Sequence, residues 1–354
     1  MGIQRLAEKI FYRLDIRKFH QEHKNDANKA IKNIESELGK TDPKLFKLCD
    51  EYAKDIFGWI GYSPWLKVYS AYNGVFKEGW IPDNFYARKV LPAIKGDYAH
   101  IAKLKPLSSI IFTNNYFPDS AYHVNGLWYT QSHKILNKNE LKDHIFKTSQ
   151  KIVFKSDKSI QGKGIYFFDK DNFDINKFEL LGNGVVQNYI HQHKFFDEIT
   201  PNSVATLRIT SIIDEIGNPS VRGCYLRLAR NKDTHVIASS SIRIPVDINT
   251  GELSKKGLYS SWLSVDYHPD SHISFANKKV PNYDKCISAV KELHRSMPYN
   301  RCIGWDLTID NDNQVKVMEW NGNHNGIKLS EATQGPCFAD LGWEKFIANS
   351  TFIQ

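Results

Sequence analysis

The chain has 354 residues, with 47 Lys+Arg against 39 Asp+Glu and a formal charge of +8. Hydrophobic residues at 41% and aromatics at 13% argue against disorder, and at about 100–200 residues per domain the length suits two or three structural units. No run of about 18 apolar residues is present to form a membrane-crossing helix, and the excess charge fits anionic small molecules at least as well as nucleic acid, for which no binding module is recognised.

Met1 to Leu14 lacks the apolar core of a secretory signal. The cysteines Cys49, Cys224, Cys286, Cys302 and Cys337 are scattered without a CxxC, which predicts reduced thiols and a cytoplasmic protein. Ile3, Leu6, Ile10 and Leu14 recur at helical spacing among Arg5, Lys9, Arg13 and Arg17. This stripe predicts a helix packed on its own protein, with peripheral contact to an anionic inner membrane face as the alternative. Asp26 to Leu38 reads as a second helix. Thr41-Asp42-Pro43 reads as the start of a third, with Asp42 capping and Pro43 in the first turn.

Residues 58–150 are dense in aromatics and prolines (Trp59, Tyr62, Pro64, Trp65, Tyr69, Tyr72, Trp80, Pro82, Pro92). They predict an irregular helical connector followed by a small α/β unit, with a strand at Ser108–Thr113 and a helix at Asn139–Ser149. The aromatics can stack on sugar rings or simply pack. From 151 the pattern turns to strands: Lys151–Lys155, Gly164–Phe168, Gly184–Gln187, Val204–Ile213, Val221–Arg230 and Ser241–Asp247. A helix over Asp284–Met297 follows. A hairpin, Ile303–Ile309 with Gln314–Trp320, turns around Asn311-Asp312-Asn313.

Four stretches can carry chemistry. In the first, a strand ends in Lys155 and a loop with Ser156, Lys158, Gly162, Lys163 and Gly164 leads into the next strand. Backbone N–H groups and lysines there suit a polyphosphate, and a basic surface turn is the plain alternative. No P-loop is present, and the order of loop and lysine excludes a protein kinase. In the second, the hairpin places Asp306 across from Met318 or Glu319, while Glu319 and Asn321 share a face. Two carboxylates and an amide oxygen form a hard-oxygen set suited to Mg²⁺, the alternative being an exposed acidic face. In the third, Gln187, Asn188, Tyr189 and Ile190 follow a strand and can offer backbone groups to a base edge, or simply end a buried strand. In the fourth, Ala205, Leu207 and Ile209 share one face of a strand and Thr206, Arg208 and Thr210 the other, so that Arg208 looks into a site or into solvent. Arg222, Arg227 and Arg230 follow on mixed faces. The pairs His191/His193 and His268/His272 lack further ligands at the spacing zinc requires.

Together these stretches resemble the ATP-grasp superfamily, and more narrowly its sugar-transfer-associated group, which accompanies bacterial surface-polysaccharide functions. The resemblance runs over residues 76–335 and rests on Gly79-Trp80-Ile81-Pro82, Lys155, Ser156 to Gly164, Val186 to Ile190, Ser203 to Arg208, Arg227, Asp247 with Thr250-Gly251, His268-Pro269, Gly304-Trp305-Asp306 and Glu319-Trp320-Asn321. It implies an α+β fold in which two α+β lobes clamp ATP behind a helical N-terminal region. Expected boundaries are a helical region 1–100, a small α/β unit 101–150, a lobe 151–195 with the phosphate-covering loop, and a catalytic lobe 196–354.

The resemblance further implies that Lys155 and Lys105 contact phosphate, that the 156–164 loop closes over it, and that Gln187 to Ile190 hold adenine. Asp306, Glu319 and Asn321 become ligands of Mg²⁺, with two ions expected. Many relatives carry Arg two residues before the first metal carboxylate, where this chain has Gly304. Arg208, Arg227 or Arg301 are the candidates for that role. Many also carry Glu where this chain has Gln187. The second phosphate lysine is Lys103 or Lys105. The expected activity is an ADP-forming carboxylate–amine ligase in capsule or surface-polysaccharide biosynthesis, acting on a carboxylated sugar or amino acid and an amine. A kinase, an acid–thiol ligase and a non-catalytic nucleotide binder are the alternatives.

Overall fold

One uninterrupted helix, Gly2–Leu38, occupies 37 residues at the start of the chain. The break expected before Asp26 is absent because no Gly or Pro occurs from Ile3 to Leu38; the next, Gly39, takes a φ of 88° and lies just past the helix end. The structure is a computed structural model that describes residues 2–160, 163–230, 233–237 and 239–348. Ala27, Ala30 and Ile34 are buried, whereas Phe11 and Leu14 are 75% and 56% exposed, so Leu14 is not the core residue its spacing predicts. The next helix, Pro43–Phe57, starts as expected. The Asp42 side chain accepts from the Lys44 N–H at 2.9 Å, and Gly58 ends it in the left-handed region.

The chain divides into two compact units. Unit 1 combines Met1–Ala93, Ser261–Ser264 and Gly326–Gln354. Its core is aromatic, with Phe57, Trp65, Tyr69, Trp80, Phe85 and Tyr86 all buried, so these rings pack and do not line a sugar site. Glu331, on the helix Lys328–Gln334, is fully buried and accepts from the Ile81 N–H at 2.7 Å and the Cys337 N–H at 2.8 Å. Trp80 Nε1 donates to the Glu331 carbonyl at 2.8 Å.

Unit 2 comprises Ile94–Ser260 and Val265–Asn325. It is α+β and holds two antiparallel sheets. The first is built from β1 (Asp119–Val124), β2 (Leu127–Thr130), β3 (Ile135–Leu136), β4 (Lys151–Ile160), β5 (Lys163–Asp169) and β6 (Gly184–Asn188), in the order β3-β2-β1-β6-β4-β5. The second is built from β7 (Thr206–Ile213), β8 (Pro219–Leu228), β9 (Ile242–Pro245), β10 (Gly257–Leu258), β11 (Ser264–Val265), β12 (Cys302–Ile309) and β13 (Val315–Asn321), in the order β11-β10-β9-β8-β7-β12-β13. The long strands lie within two residues of their predicted limits, except that β4 runs on past Lys155 to Ile160.

One expectation fails in this unit and one helix ends early. Ser108–Ile111 is a helical turn, not a strand. It continues the 3-10 turn Lys105–Leu107 set by Pro106, and Trp320 Nε1 donates to Ser108 Oγ at 2.9 Å. The helix predicted over Asn139–Ser149 spans Lys138–Ile145.

The second sheet places the site. Leu207, Ile209, Leu226, Ile244, Trp305 and Leu307 turn one face into a core shared with Cys286, Ala289, Val290 and Leu293 of the helix Tyr283–Ser296. Strand alternation therefore sends Thr206, Arg208, Thr210, Arg227, Arg243, Gly304 and Asp306 to the opposite face.

Candidate functional site

The hairpin β12–β13 aligns Asp306 with Glu319 and Gly304 with Asn321. A bulge interrupts the pairing between Asp306 and Leu307, whose partner is Val317, so Met318 is the extra residue. Lys155 Nζ, from the other sheet, donates to the Met318 carbonyl at this bulge at 2.9 Å. Lys105 Nζ donates to Glu319 Oε1 at 2.8 Å, and its backbone N–H donates to Asp157 Oδ1 at 2.9 Å. Lys103, the other candidate, is exposed. Two lysines and two carboxylates from distant parts of the chain thus meet where the sheets of unit 2 face each other.

Asp306 is buried and held by Arg208 through two bonds, Nε to Oδ1 at 2.5 Å and Nη2 to Oδ2 at 2.7 Å. Arg227 Nη1 lies 3.8 Å from Oδ2, and Asn321 Nδ2 donates to the same oxygen at 3.3 Å. Burial alone would raise the Asp306 pKa, but the Arg208 guanidinium outweighs it and holds the carboxyl below its ordinary range. The same pair pushes Arg208 upward against its own burial. Lys155 moves the other way. Burial, helped by the charge of Lys105, brings it down to about 8, although Glu319, Asp119 and Asp306 pull upward.

Gly304 explains its own departure from the family pattern. A Cβ there would sit 2.7 Å from Asn325 Cβ, so the Asn325 side chain fills the space a larger residue would take, with Arg208 Cδ in ordinary contact at 3.5 Å. Arg301 does not join this group; its Nε donates to the Ile213 carbonyl at the far end of β7.

Gln187 lies opposite Asp119 in the first sheet and donates to Asp119 Oδ1 at 2.8 Å. A small cavity is lined by Lys105, Ser108, Asp119, Gln187, Met318 and Glu319, which puts Gln187 beside the lysine–glutamate pair. Asp119 was not anticipated. Burial pushes its pKa up to about 6, with Gln187, Tyr122 and Lys155 pulling it back. The connector beyond Gln187 is firmly placed: the Asn188 N–H donates to the Pro118 carbonyl at 2.8 Å and the Tyr189 N–H to the Lys151 carbonyl at 3.1 Å. Lys151 Nζ sits 4.7 Å from the Tyr189 ring centre, and Ile190 is half-buried.

In the stretch expected to cover phosphate, Ser156 is half-buried, Lys163 is exposed and Gly164 takes a φ of 84° early in β5. Gly162 lies outside the described residues, as does the Lys158 side chain. Other matching positions build supports. Asp247 accepts from the Asn249 and Thr250 N–H groups to close a turn, and buried His268 donates from Nε2 to the Ala229 carbonyl at 2.9 Å. Arg222 donates to Ser220 Oγ and Arg230 pairs with Asp270, so neither joins Arg208 and Arg227.

Arg243 is the second residue the sequence reading missed. Its signal is present, since it stands alone between buried Ile242 and Ile244 on β9. It aligns directly with Arg227, and burial lowers its pKa, with Arg227 and Arg208 adding to the depression against a pull from Tyr225.

The donor set fits a hard divalent cation. Two carboxylates, each paired with a cationic side chain, and one amide share a sheet face. Among the described residues no group of three His, Cys, Asp or Glu side chains gathers, so an ion here would draw remaining ligands from water or phosphate.

Several solved structures are similar to this chain. They include the biotin carboxylase domain of Hydrogenobacter thermophilus 2-oxoglutarate carboxylase in complex with MgADP, ADP and bicarbonate (11% identity, 68% of this chain and 45% of that one, TM-score 0.41). L-amino acid ligase from Bacillus licheniformis is 13% identical over 70% of this chain and 48% of that one, with a TM-score of 0.40. D-alanine–D-alanine ligase from Bacillus anthracis complexed with ATP is 13% identical over 70% and 64%, with a TM-score of 0.39. The chain spans less than two thirds of the length of each. No curated protein matches it. The family model for sugar-transfer associated ATP-grasp proteins matches residues 113–340, a stretch that contains both sheets and most of the site. The chain belongs to the sugar-transfer associated ATP-grasp family.

Proposed function

We propose that this protein is an ATP- and Mg²⁺-dependent, ADP-forming ligase that joins a carboxylate to an amine. The observation that carries the reading is the convergence of Lys155 and Lys105 on the face that presents Glu319, Asp306 and Asn321. Magnesium held by Glu319, Asp306 and Asn321, as one ion or two, would offset the charge of the phosphate oxygens. Lys155 and Lys105 add positive charge on the same side; Lys105 and Gln187 line one small cavity together with Met318, to whose carbonyl Lys155 donates, which suits phosphates beside a base.

The chemistry that suits this arrangement has two steps. A substrate carboxylate oxygen attacks the γ-phosphorus of ATP; the bond to the β,γ-bridging oxygen breaks and ADP leaves. An amine then attacks the acyl carbon, the C–O bond to phosphate breaks, and the amine nitrogen gives up a proton. Arg208 or Arg227 stabilises the oxyanion of that second step, and the loop that follows Lys155 would shield the acyl phosphate from water.

The substrates we assign are a sugar acid with an amine or amino acid, or an amino acid with an amino sugar, during surface-polysaccharide assembly. The description of the family as sugar-transfer associated supports this class. Release of ADP and phosphate, screened over carboxylate and amine panels, tests it. A stable phosphorylated product in place of free phosphate marks a kinase. Glu319→Gln is expected to lower turnover at least about a hundredfold in a folded protein. Normal turnover would remove Glu319 from the metal site.

A further inference from the structure

Three arginines stand in a row on the polar face of the second sheet, on the adjacent strands β7, β8 and β9. Arg227 is aligned with Thr206 on one side and with Arg243 on the other, and Arg208 lies two residues along from Thr206 on the same face. Each strand turns its neighbours inward: Leu207 and Ile209 flank Arg208, Leu226 and Leu228 flank Arg227, and Ile242 and Ile244 flank Arg243, all essentially fully buried. The Arg208 and Arg227 side chains are only 12% and 15% exposed, and Arg243 is half-buried. Like charges directly opposite one another across two strands destabilise a sheet, and partial burial raises that cost. An anion between them reverses the sign.

The row also has a direction. It starts beside Asp306 and runs away from the cluster of Lys155, Lys105 and Glu319. Arg243 lies three strand spacings from Asp306, about 14 Å at about 4.8 Å each. Arg208, committed to Asp306 by two bonds, backs the row, while Arg227 bridges from it to Arg243.

We infer that Arg227 and Arg243, backed by Arg208, form a subsite for an oxyanion carried by the second substrate, so that the compound activated at its carboxylate bears a phosphate or a further carboxylate. The inference rests on the ligase reading for the identity of the substrate, and on the sheet register for the site itself. Planar guanidiniums side by side suit either oxyanion, with bidentate hydrogen bonds to its oxygens.

The test uses the full chain saturated with Mg²⁺ and a non-hydrolysable ATP analogue, so that the γ-phosphate position is filled. Inorganic phosphate and malonate are then titrated by calorimetry. At least one is expected to bind. Arg243→Gln and Arg227→Gln are each expected to weaken it by about tenfold or more, and Arg243→Lys by less, as a charge-assisted bidentate contact requires. In Arg243→Gln the affinity for the analogue should change less than about twofold. Failure of both anions to bind the unaltered protein overturns the inference, as does an anion affinity untouched by Arg243→Gln. A parallel loss of analogue affinity also overturns it, because the arginines would then serve the phosphates of ATP. If the analogue itself does not bind, the ligase reading fails. The same titrations without nucleotide then decide the anion site on their own.

Discussion

Lys155 sits under opposed demands. Burial and the neighbouring Lys105 press it towards neutrality, and Glu319, Asp119 and Asp306 hold its proton, leaving it at about 8. In the free protein its charge is complete below that pH and is lost as the pH rises through it. Nucleotide affinity should therefore decline through about 8 in the unaltered protein and stay level in Lys155→Arg, which cannot deprotonate. Identical pH profiles in calorimetric titrations would remove Lys155 from the phosphate contact. Arg208 makes a different prediction. Arg208→Met leaves Asp306 buried without its two-bond partner, which should destabilise unit 2 by about 3–5 kcal/mol in denaturant unfolding. At this scale the sequence was informative only in part. Asp306 opposite Glu319 was readable because the turn at Asn311–Asn313 sets the register within one residue. Lys105 meeting Glu319 was not, since the two are 214 residues apart and no local pattern links them.

Strands were legible where side chains alternate, and their limits came out close. β9 shows what a short strand conceals: four residues carry one polar position, and that position is Arg243. Short helical turns were not legible. Ser108–Ile111 has the β-branched residues of a strand, yet Pro106 and the Trp320 bond to Ser108 decide for a turn. The helix Lys328–Gln334 carries its own test. Burial pushes Glu331 up to about 8, against the pull of the Ile81 and Cys337 N–H groups. A raised acid gives stability that is complete below its unfolded value near 4.5 and lost as pH rises through about 8. Unfolding free energy of unit 1 should fall across that window and flatten in Glu331→Gln. The variant should also lose about 1–3 kcal/mol at low pH, because one of the two accepting oxygens becomes a donor facing an N–H. An unchanged slope would place the titration on another group.

The charge of +8 that suggests anionic partners has a definite concentration in unit 2, where Lys105, Lys155, Arg208, Arg227 and Arg243 share one region. Saturating Mg²⁺ and nucleotide at about 100 times Kd should stabilise that unit by about 2.7 kcal/mol, read as a shift in thermal unfolding. No shift would argue against nucleotide binding. The pairing of residues 326–354 with 1–93 in unit 1 has no signature in the sequence, because it is made by contacts such as Glu331 with Ile81, 250 residues apart. That connectivity sets an order during synthesis. A ribosome delivers every residue of unit 2 before it delivers Gly326, so the sheet face that bears the arginines can form while the aromatic core of unit 1 still lacks Glu331. Until then Trp80 and Ile81 have no partner for their bonds to that residue. The bonds that Trp80 and Ile81 make to Glu331 therefore wait for about 250 further residues of synthesis, and this is the interval in which a chaperone would matter most.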